Sequence, residues 1–433
     1  MRVGGAPRTD WAAKLAISAV AVEFCVSANL LTWMGVPYVT EGGALPLKIH
    51  PGTYMLAAAF GIHIGSQSRP NGLFGADSGD RLLAVYLGSM VASLVYALAL
   101  TGKGNLIVLI DTFLPAGLLA AVLQTASARD LKMLRRVFQW GCACNALLAL
   151  GEAAEHVSLV PFYLNDAAYH ARVEEFRPTG LYDHPLTGGA MTMMGLALAP
   201  AGLWVPLAYI GLLACAMLAF GGRVAVAVTV LGAIILLGRE LCLRVLRRDR
   251  YAINLLVTSF CVLMLAALAA LAVCSAGLGQ RLTGHLYWDP SAQVRLAQWH
   301  LIGELDGWQV LFGARRDDLL AMLNPLWLTY GVEVIENFWL LMFASLGASG
   351  FSIFVSGFVA LLFWCWQNTN LRGRAILLGV LLVASASNSL GRKSTVLVGL
   401  VGATISAAAL PGGGLVRRRP PSEGVRPLAM GWE

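Results

Sequence analysis

From about residue 12 to residue 410 the chain alternates long apolar stretches with short polar joints. About twelve of the stretches are long enough to cross a bilayer as helices: 12–34, 50–66, 82–101, 105–126, 137–154, 185–200, 203–220, 223–238, 253–275, 337–366, 375–389 and 394–410. Two joints break the rhythm, one from His156 to His184 and one from Ser275 to Ile335. Joints of that length in a compact bundle are mostly functional or disordered. The second is not disordered by composition, since it carries Trp288, Trp299, Trp308, Trp327, Tyr287 and Tyr330. Within it, Ser291 to Asp306 spaces Val294, Leu296, Trp299, Leu301, Ile302 and Leu305 as a short amphipathic helix at the membrane surface. The expected fold is all-α: a polytopic membrane bundle of about 12 transmembrane helices, with a large, partly helical outer loop between spans nine and ten. Residues 1–410 form the transmembrane domain, 276–335 its outer loop, and 411–433 a flexible basic tail.

Composition agrees with a many-span chain rather than a soluble domain with one anchor. Of the 433 residues 58% are hydrophobic and 13% charged. The net charge of +7 is mostly a topology signal. With the N-terminus inside, the clusters RDLKMLRR and RELCLRVLRRDR both fall on the inner face, as does the tail, so both termini are expected to be cytoplasmic. Nucleic acid is not implied. The eight cysteines fall in spans or near the inner face, which suggests no disulfide framework. Cys142 and Cys144 are too close for a zinc pair, and the histidines form no HxxxH or HExxH pattern, so neither a metal nor a cofactor is expected.

Positive residues on the outer side run against the topological bias. They include Arg172 and Arg177 in the first long joint, Arg223 after Gly221-Gly222, Arg281, Arg295, Arg315 and Arg316 in the second, and Arg392 and Lys393 in the last outer turn. Arg223 opens a helix whose N-terminus already favours anions, next to glycines that admit a ligand to the backbone. The densest chemistry lies in RPTGLYDHP, from Arg177 to Pro185, flanked by membrane helix. Ionisable groups near hydrocarbon are costly and mostly kept for function. His184 precedes Pro185, which makes it extended, and Asp183 beside it tunes its charge; capping a span and catalysis are both open to it. Within the spans, Glu23, Asp111 and the pair Glu152 and Glu155 are expected to pair with other helices or to mark a proton path.

Outward arginines converging with a carboxylate and an imidazole suit a pyrophosphate, because guanidinium binds phosphate oxygens bidentately and stays charged. Such arginines can stabilise a leaving pyrophosphate without a metal, while a carboxylate or imidazole takes a proton from an acceptor hydroxyl. Glu336, at the start of the tenth span and beside Asn337, is the leading base candidate, with an N-terminal dipole or cap role as the alternative.

Four segments carry a resemblance: RPTGLYDHPLTGGAMT, FGGRVA, VRLAQWHLIGELDGWQVLFGA and IENFWLLMFASLGASG. In this order, on a twelve-span frame, the chain resembles the O-antigen ligase and Wzy-type polysaccharide polymerase superfamily, and within it the exopolysaccharide polymerase branch. The resemblance implies glycosyl transfer from undecaprenyl pyrophosphate to a lipid-linked repeat unit, on the periplasmic face of a bacterial cytoplasmic membrane. It implies that Arg177, Arg223 and Arg295 face phosphate, with Glu336 and His184 as catalytic groups. Asp183, Tyr182, Asn337, Arg315, Arg316, Trp299 and Glu304 are the expected substrate contacts. A lipid-linked oligosaccharide, membrane lipid, a chain-length regulator and a flippase are the expected partners, with no nucleic acid. The ligase branch has His where this chain has Glu336, which favours a polymerase. The alternatives are a ligase acting on lipid A-core or protein, and a transporter of lipid-linked sugars. No repeated half supports transport.

Overall fold

A computed structural model describes residues 11–39, 43–66, 78–164, 167–169, 176–200, 204–246, 290–332, 334–387 and 389–409. The expected span 253–275, the tail 411–433 and the start of the large loop, with Arg281 and His285, lie outside the described residues.

Helices dominate. They are α1 (Trp11–Cys25), α2 (Ala28–Trp33), α3 (Pro51–Ser66), α4 (Ser78–Tyr96), α5 (Lys103–Val108), α6 (Leu114–Leu123), α7 (Ala128–Glu155), α8 (Pro185–Ala197), α9 (Trp204–Phe220) and α10 (Arg223–Leu246). The outer loop supplies α11 (Pro290–Ala297), α12 (Leu301–Glu304), α13 (Gly307–Phe312) and α14 (Arg316–Tyr330). The bundle closes with α15 (Phe338–Gln367), α16 (Leu371–Ser385) and α17 (Val396–Ala407). The first long joint contains a hairpin that hydropathy does not announce, β1 (Phe162–Leu164) antiparallel to β2 (Ala167–Tyr169), with Phe162 opposite Tyr169.

Three helical stretches, Arg81–Thr101, Leu106–Leu123 and Phe338–Gln367, are each long and apolar enough to cross a membrane. Shorter apolar helices include Val205–Phe220 and Val396–Ala407. Every residue of α17 is buried, which makes it the central helix; α6, α7, α8 and α16 pack around it. Small residues permit these approaches. A Cβ on Gly402 would meet the Phe138 ring at 2.8 Å, and one on Gly117 would overlap Tyr86 at 2.3 Å. Leu301, Leu305, Leu319, Leu323 and Leu326 form a second, smaller core.

Three irregularities interrupt the helices. The first span breaks between α1 and α2, where Ser27 caps α2 by accepting from Leu30 N–H at 3.1 Å. Between α5 and α6 the chain makes a π turn over Leu109–Phe113. Such turns insert one residue into the helical ladder and recur at functional sites. Finally, α15 is interrupted at Gly347 (φ 63°, ψ 175°).

Candidate functional site

The RPTGLYDHP segment is held from below by two side chains of α7. Glu152 accepts from the backbone N–H of Thr179 (2.8 Å) and Gly180 (2.7 Å) through one oxygen, and from Leu159 N–H (2.7 Å) through the other. Asn145 Oδ1 accepts from Leu181 N–H at 2.5 Å. The resulting turn requires glycine at 180: its φ is 57°, and a Cβ there would lie 2.4 Å from Asn145 Oδ1. Glu152 thus binds backbone rather than another helix's side chain, and Glu155 is exposed.

The turn leads into the start of α8. Arg177 donates Nε–H (3.0 Å) and Nη2–H (2.7 Å) to the carbonyl of Phe220, the last residue of α9. That carbonyl lacks a helical partner of its own. A Cβ on Gly221 (φ 66°) would sit 3.6 Å from Arg177 Nε, so Arg177 and Arg223 flank one glycine turn. His184 caps α8, its Nδ1 accepting from Leu186 N–H at 3.1 Å. Burial, then Arg177 and Arg392, pull its pKa down to about 3. The ring is neutral, with its proton on Nε2. Burial pushes Asp183 up from the ordinary carboxylate range, against hydrogen bonds from the Thr187 hydroxyl and backbone N–H groups and the charge of Arg392. Tyr182 is buried, its ring 6.3 Å from that of Phe24.

A second network joins residues 38–53 to the turn before α17. Asp111, in the π turn, accepts from the Tyr38 hydroxyl, from His50 N–H (2.9 Å) and from the Thr53 hydroxyl (2.7 Å). Lys393 Nζ donates to the carbonyls of Tyr38 (2.6 Å) and Lys48 (2.9 Å) and lies 3.9 Å from the Tyr38 ring centroid. Burial lowers the Lys393 pKa to about 8, opposed by Asp111 and assisted by Lys48. Glu23 meets His50 Nδ1 at 3.0 Å. Thr112 donates to the Arg392 carbonyl at 2.9 Å, and Asn29 Nδ2 donates to the Asp183 carbonyl at 3.1 Å. Glu23, Tyr38, His50, Asp111, Tyr182, Asp183 and Lys393 line one cleft, together with Ser27, Ser394 and Thr395.

The remaining residues expected from the sequence occupy the start of α15 and the outer-loop helices. Arg295 Nε and Glu336 Oε2 form an ion pair at 2.9 Å, both partly exposed. Gln298 Oε1 accepts from the backbone N–H of Glu336 (2.8 Å) and Asn337 (3.1 Å), and Asn337 caps α15 through Leu340 N–H. Trp299, Glu304, Arg315 and Arg316 are exposed on the outer-loop helices. Phe113 links the two halves: its ring stacks on Phe338 at 6.0 Å, while its neighbours Asp111 and Thr112 hold the first loop and the last turn.

The structure therefore brings together Arg177, Tyr182, Asp183 and His184, and separately Arg295, Glu336 and Asn337. The sequence reading did not assign Tyr38, Asn145, Gln298 or Ser394. The available signal was the motif LIDTFLP, an acid followed by a proline inside an apolar span. Among the described residues no group of three His, Cys, Asp or Glu side chains is arranged to hold a metal ion. No model of a known protein family matches the chain, and comparison with curated proteins finds no match.

Proposed function

We propose that this chain is a polysaccharide polymerase of about 12 transmembrane helices. It moves a growing glycan from undecaprenyl pyrophosphate to a lipid-linked repeat unit on the outer face of the bacterial cytoplasmic membrane, with both termini inside. The observation that carries the reading is the meeting of cations from separate segments at the start of α8. Arg177 and Arg392 both act on His184, and Arg392 also on Asp183. A helix N-terminus adds its own attraction for anions. Cations fixed before the reaction stabilise a leaving pyrophosphate without the reorganisation that water would need.

In this reading Arg177, Arg223 and Arg392 face the pyrophosphate. On the same reading the ion pair makes Glu336 the residue that orients Arg295, in place of the base expected from the sequence. The neutral His184, accepting at Nδ1, is a donor at Nε2 and suits a phosphate or sugar oxygen. The test is direct. Purified full-length protein in lipid nanodiscs receives undecaprenyl-pyrophosphate-linked repeat units, and products are resolved by length. A ladder with release of undecaprenyl pyrophosphate supports the proposal; unextended repeat units after long incubation overturn it.

A further inference from the structure

We propose that α13 is an interfacial anchor: Trp308 and Leu311 lie at the boundary between lipid headgroups and acyl chains, and bilayer lipid covers the apolar face they present. The inference rests on the membrane reading of α4 and α15 and does not depend on glycosyl transfer.

The level of α13 is fixed by two helices long and apolar enough to cross a membrane. The hydroxyl of Tyr96, the last residue of α4, donates to the Phe312 carbonyl at 3.1 Å. Gly347 of α15 lies so close that a Cβ on it would sit 2.5 Å from Phe312 N and 2.6 Å from the Leu311 carbonyl carbon. The surface of α15 changes at that same glycine. Phe338 to Leu346 has no exposed residue, whereas beyond Gly347 a stripe at helical spacing opens outward: Ser349, Ser352, Ser356, Val359 and Phe363. Two of its hydroxyls turn back on their own helix. Ser352 donates to the Ala348 carbonyl and Ser356 to the Ser352 carbonyl, both at 2.8 Å. A hydroxyl facing hydrocarbon finds its acceptor there. From Gly347 to Gln367 the helix covers about 30 Å, the thickness of a hydrocarbon core. On α4 the exposed apolar stripe Val91, Val95 and Leu98 runs past the level of Tyr96. Both helices therefore put the edge of the hydrocarbon at α13.

The chemistry of α13 suits that place. Its residues, Gly307–Phe312, carry no charge. Trp308 is 66% exposed and Leu311 51% exposed among the described residues. The backbone groups at both ends are met by protein rather than by water. Asp306 Oδ1 accepts from Gln309 N–H at 2.7 Å in a capping box, Tyr96 takes the Phe312 carbonyl, and Ala314 N–H donates to the Ala344 carbonyl at 2.8 Å. Surroundings poor in water require this. Arg315 and Arg316 follow, both exposed. A tryptophan at the boundary with cations in reach of lipid phosphates is the usual composition of a membrane-surface segment. A protein occupant fits less well, since two exposed side chains offer far less than the roughly 800 Å² per partner that a stable interface buries.

The test uses full-length protein in nanodiscs whose lipids are brominated either high or low on the acyl chains. The emission of Trp308 is read as wild type minus Trp308→Phe, a change that keeps an aromatic ring against Phe312. That difference should fall about twofold or more in lipid brominated high on the chain and less in lipid brominated low, because an interfacial ring sits at headgroup level. Aqueous iodide should quench it weakly. Strong quenching by iodide with none by either lipid puts Trp308 in water and overturns the anchor. Stronger quenching by the low bromines puts it in the hydrocarbon core and overturns the boundary placement. No quenching by any of the three means that protein covers the ring, which overturns the lipid face. Benzoylphenylalanine in place of Leu311 gives a reading independent of the tryptophan. Illumination should attach it to lipid; attachment to another part of the chain or to a second copy, without lipid, overturns the proposal.

Discussion

Arg177 grips the carbonyl of Phe220 with two donors of one guanidinium, at 3.0 and 2.7 Å, and this contact fixes the arginine beside the glycine turn that leads to Arg223. A planar fork can make it and a point charge cannot. Arg177→Lys should therefore behave much like Arg177→Ala. Loss of a charge-assisted hydrogen bond is worth about 1.5–3 kcal/mol, so polymer yield should fall roughly 10- to 150-fold in both. Arg223→Ala should lose polymer to a similar degree, with membrane levels of the protein unchanged. Wild-type yield from Arg177→Lys would remove the fork from the mechanism.

The Arg295–Glu336 pair predicts non-additivity. If Glu336 acts by orienting Arg295, then Glu336→Gln and Arg295→Ala disable one unit. The double variant should be no worse than the more damaged single one. Turnover should drop about tenfold in Glu336→Gln, well short of the 10²–10⁴ expected on losing a general base. Multiplying losses in the double variant, or a drop of the larger size, would restore Glu336 as the proton acceptor.

Among the described residues, three of the expected stretches are helices long and apolar enough to cross a membrane, legible because bilayer thickness imposes a minimum apolar length. The stretch expected over 337–366 is the helix Phe338–Gln367, and that over 82–101 is Arg81–Thr101. Hydropathy reports nothing about local backbone, so the break before Ser27, the π turn over Leu109–Phe113 and the interruption at Gly347 were hidden. At the site, the crowding of polar groups in RPTGLYDHP was visible. Its supports were not: Lys393 clasps the carbonyl of Tyr38, 355 residues away, and nothing in either local sequence names the other. Glu336 read as an isolated carboxylate because its partner Arg295 lies 41 residues earlier, beyond helical spacing.

Acid should loosen the site through His184. Its folded pKa of about 3 lies below the ordinary 6.5, so between those values the unfolded chain binds a proton that the folded chain does not. The stabilising contribution is complete above pH 6.5 and is lost as pH falls toward 3. Asp183 is shifted upward and acts with the opposite sign, its contribution present in acid and lost as pH rises through its folded pKa. A substitution isolates the histidine. His184→Asn retains a side-chain cap for α8, so its unfolding temperature in detergent should fall less than wild type's between pH 6.5 and about 4. Parallel curves would show that His184 is not the titrating group.

Gly347 should be intolerant of any side chain, and the reason connects residues 307–330 to α15, the helix that follows them. The interruption of α15 frees the Ala344 carbonyl, which accepts from Ala314 N–H at 2.8 Å just after α13. Gly313 and Gly347 then approach backbone to backbone. A Cβ on Gly347 would lie 2.3 Å from Gly313 N, and one on Gly313 would lie 2.4 Å from the Ser345 carbonyl. The φ of 63° with ψ of 175° is itself nearly confined to glycine, and holding another residue there costs about 1–3 kcal/mol before any clash. Gly347→Ala should push α13 away and tilt the first turns of α15, which begin beside Glu336. The rest of α15 should stay in the bundle, because its contacts with α4 at Gly350 and Gly357 lie beyond the interruption. Limited proteolysis should then cut within residues 307–330 several times faster than in wild type, while membrane insertion is retained and polymer is lost. Gly61→Ala, where a Cβ meets nothing within 4 Å, serves as the control. Equal protease resistance and normal polymer in Gly347→Ala would mean that the loop is not anchored by this contact.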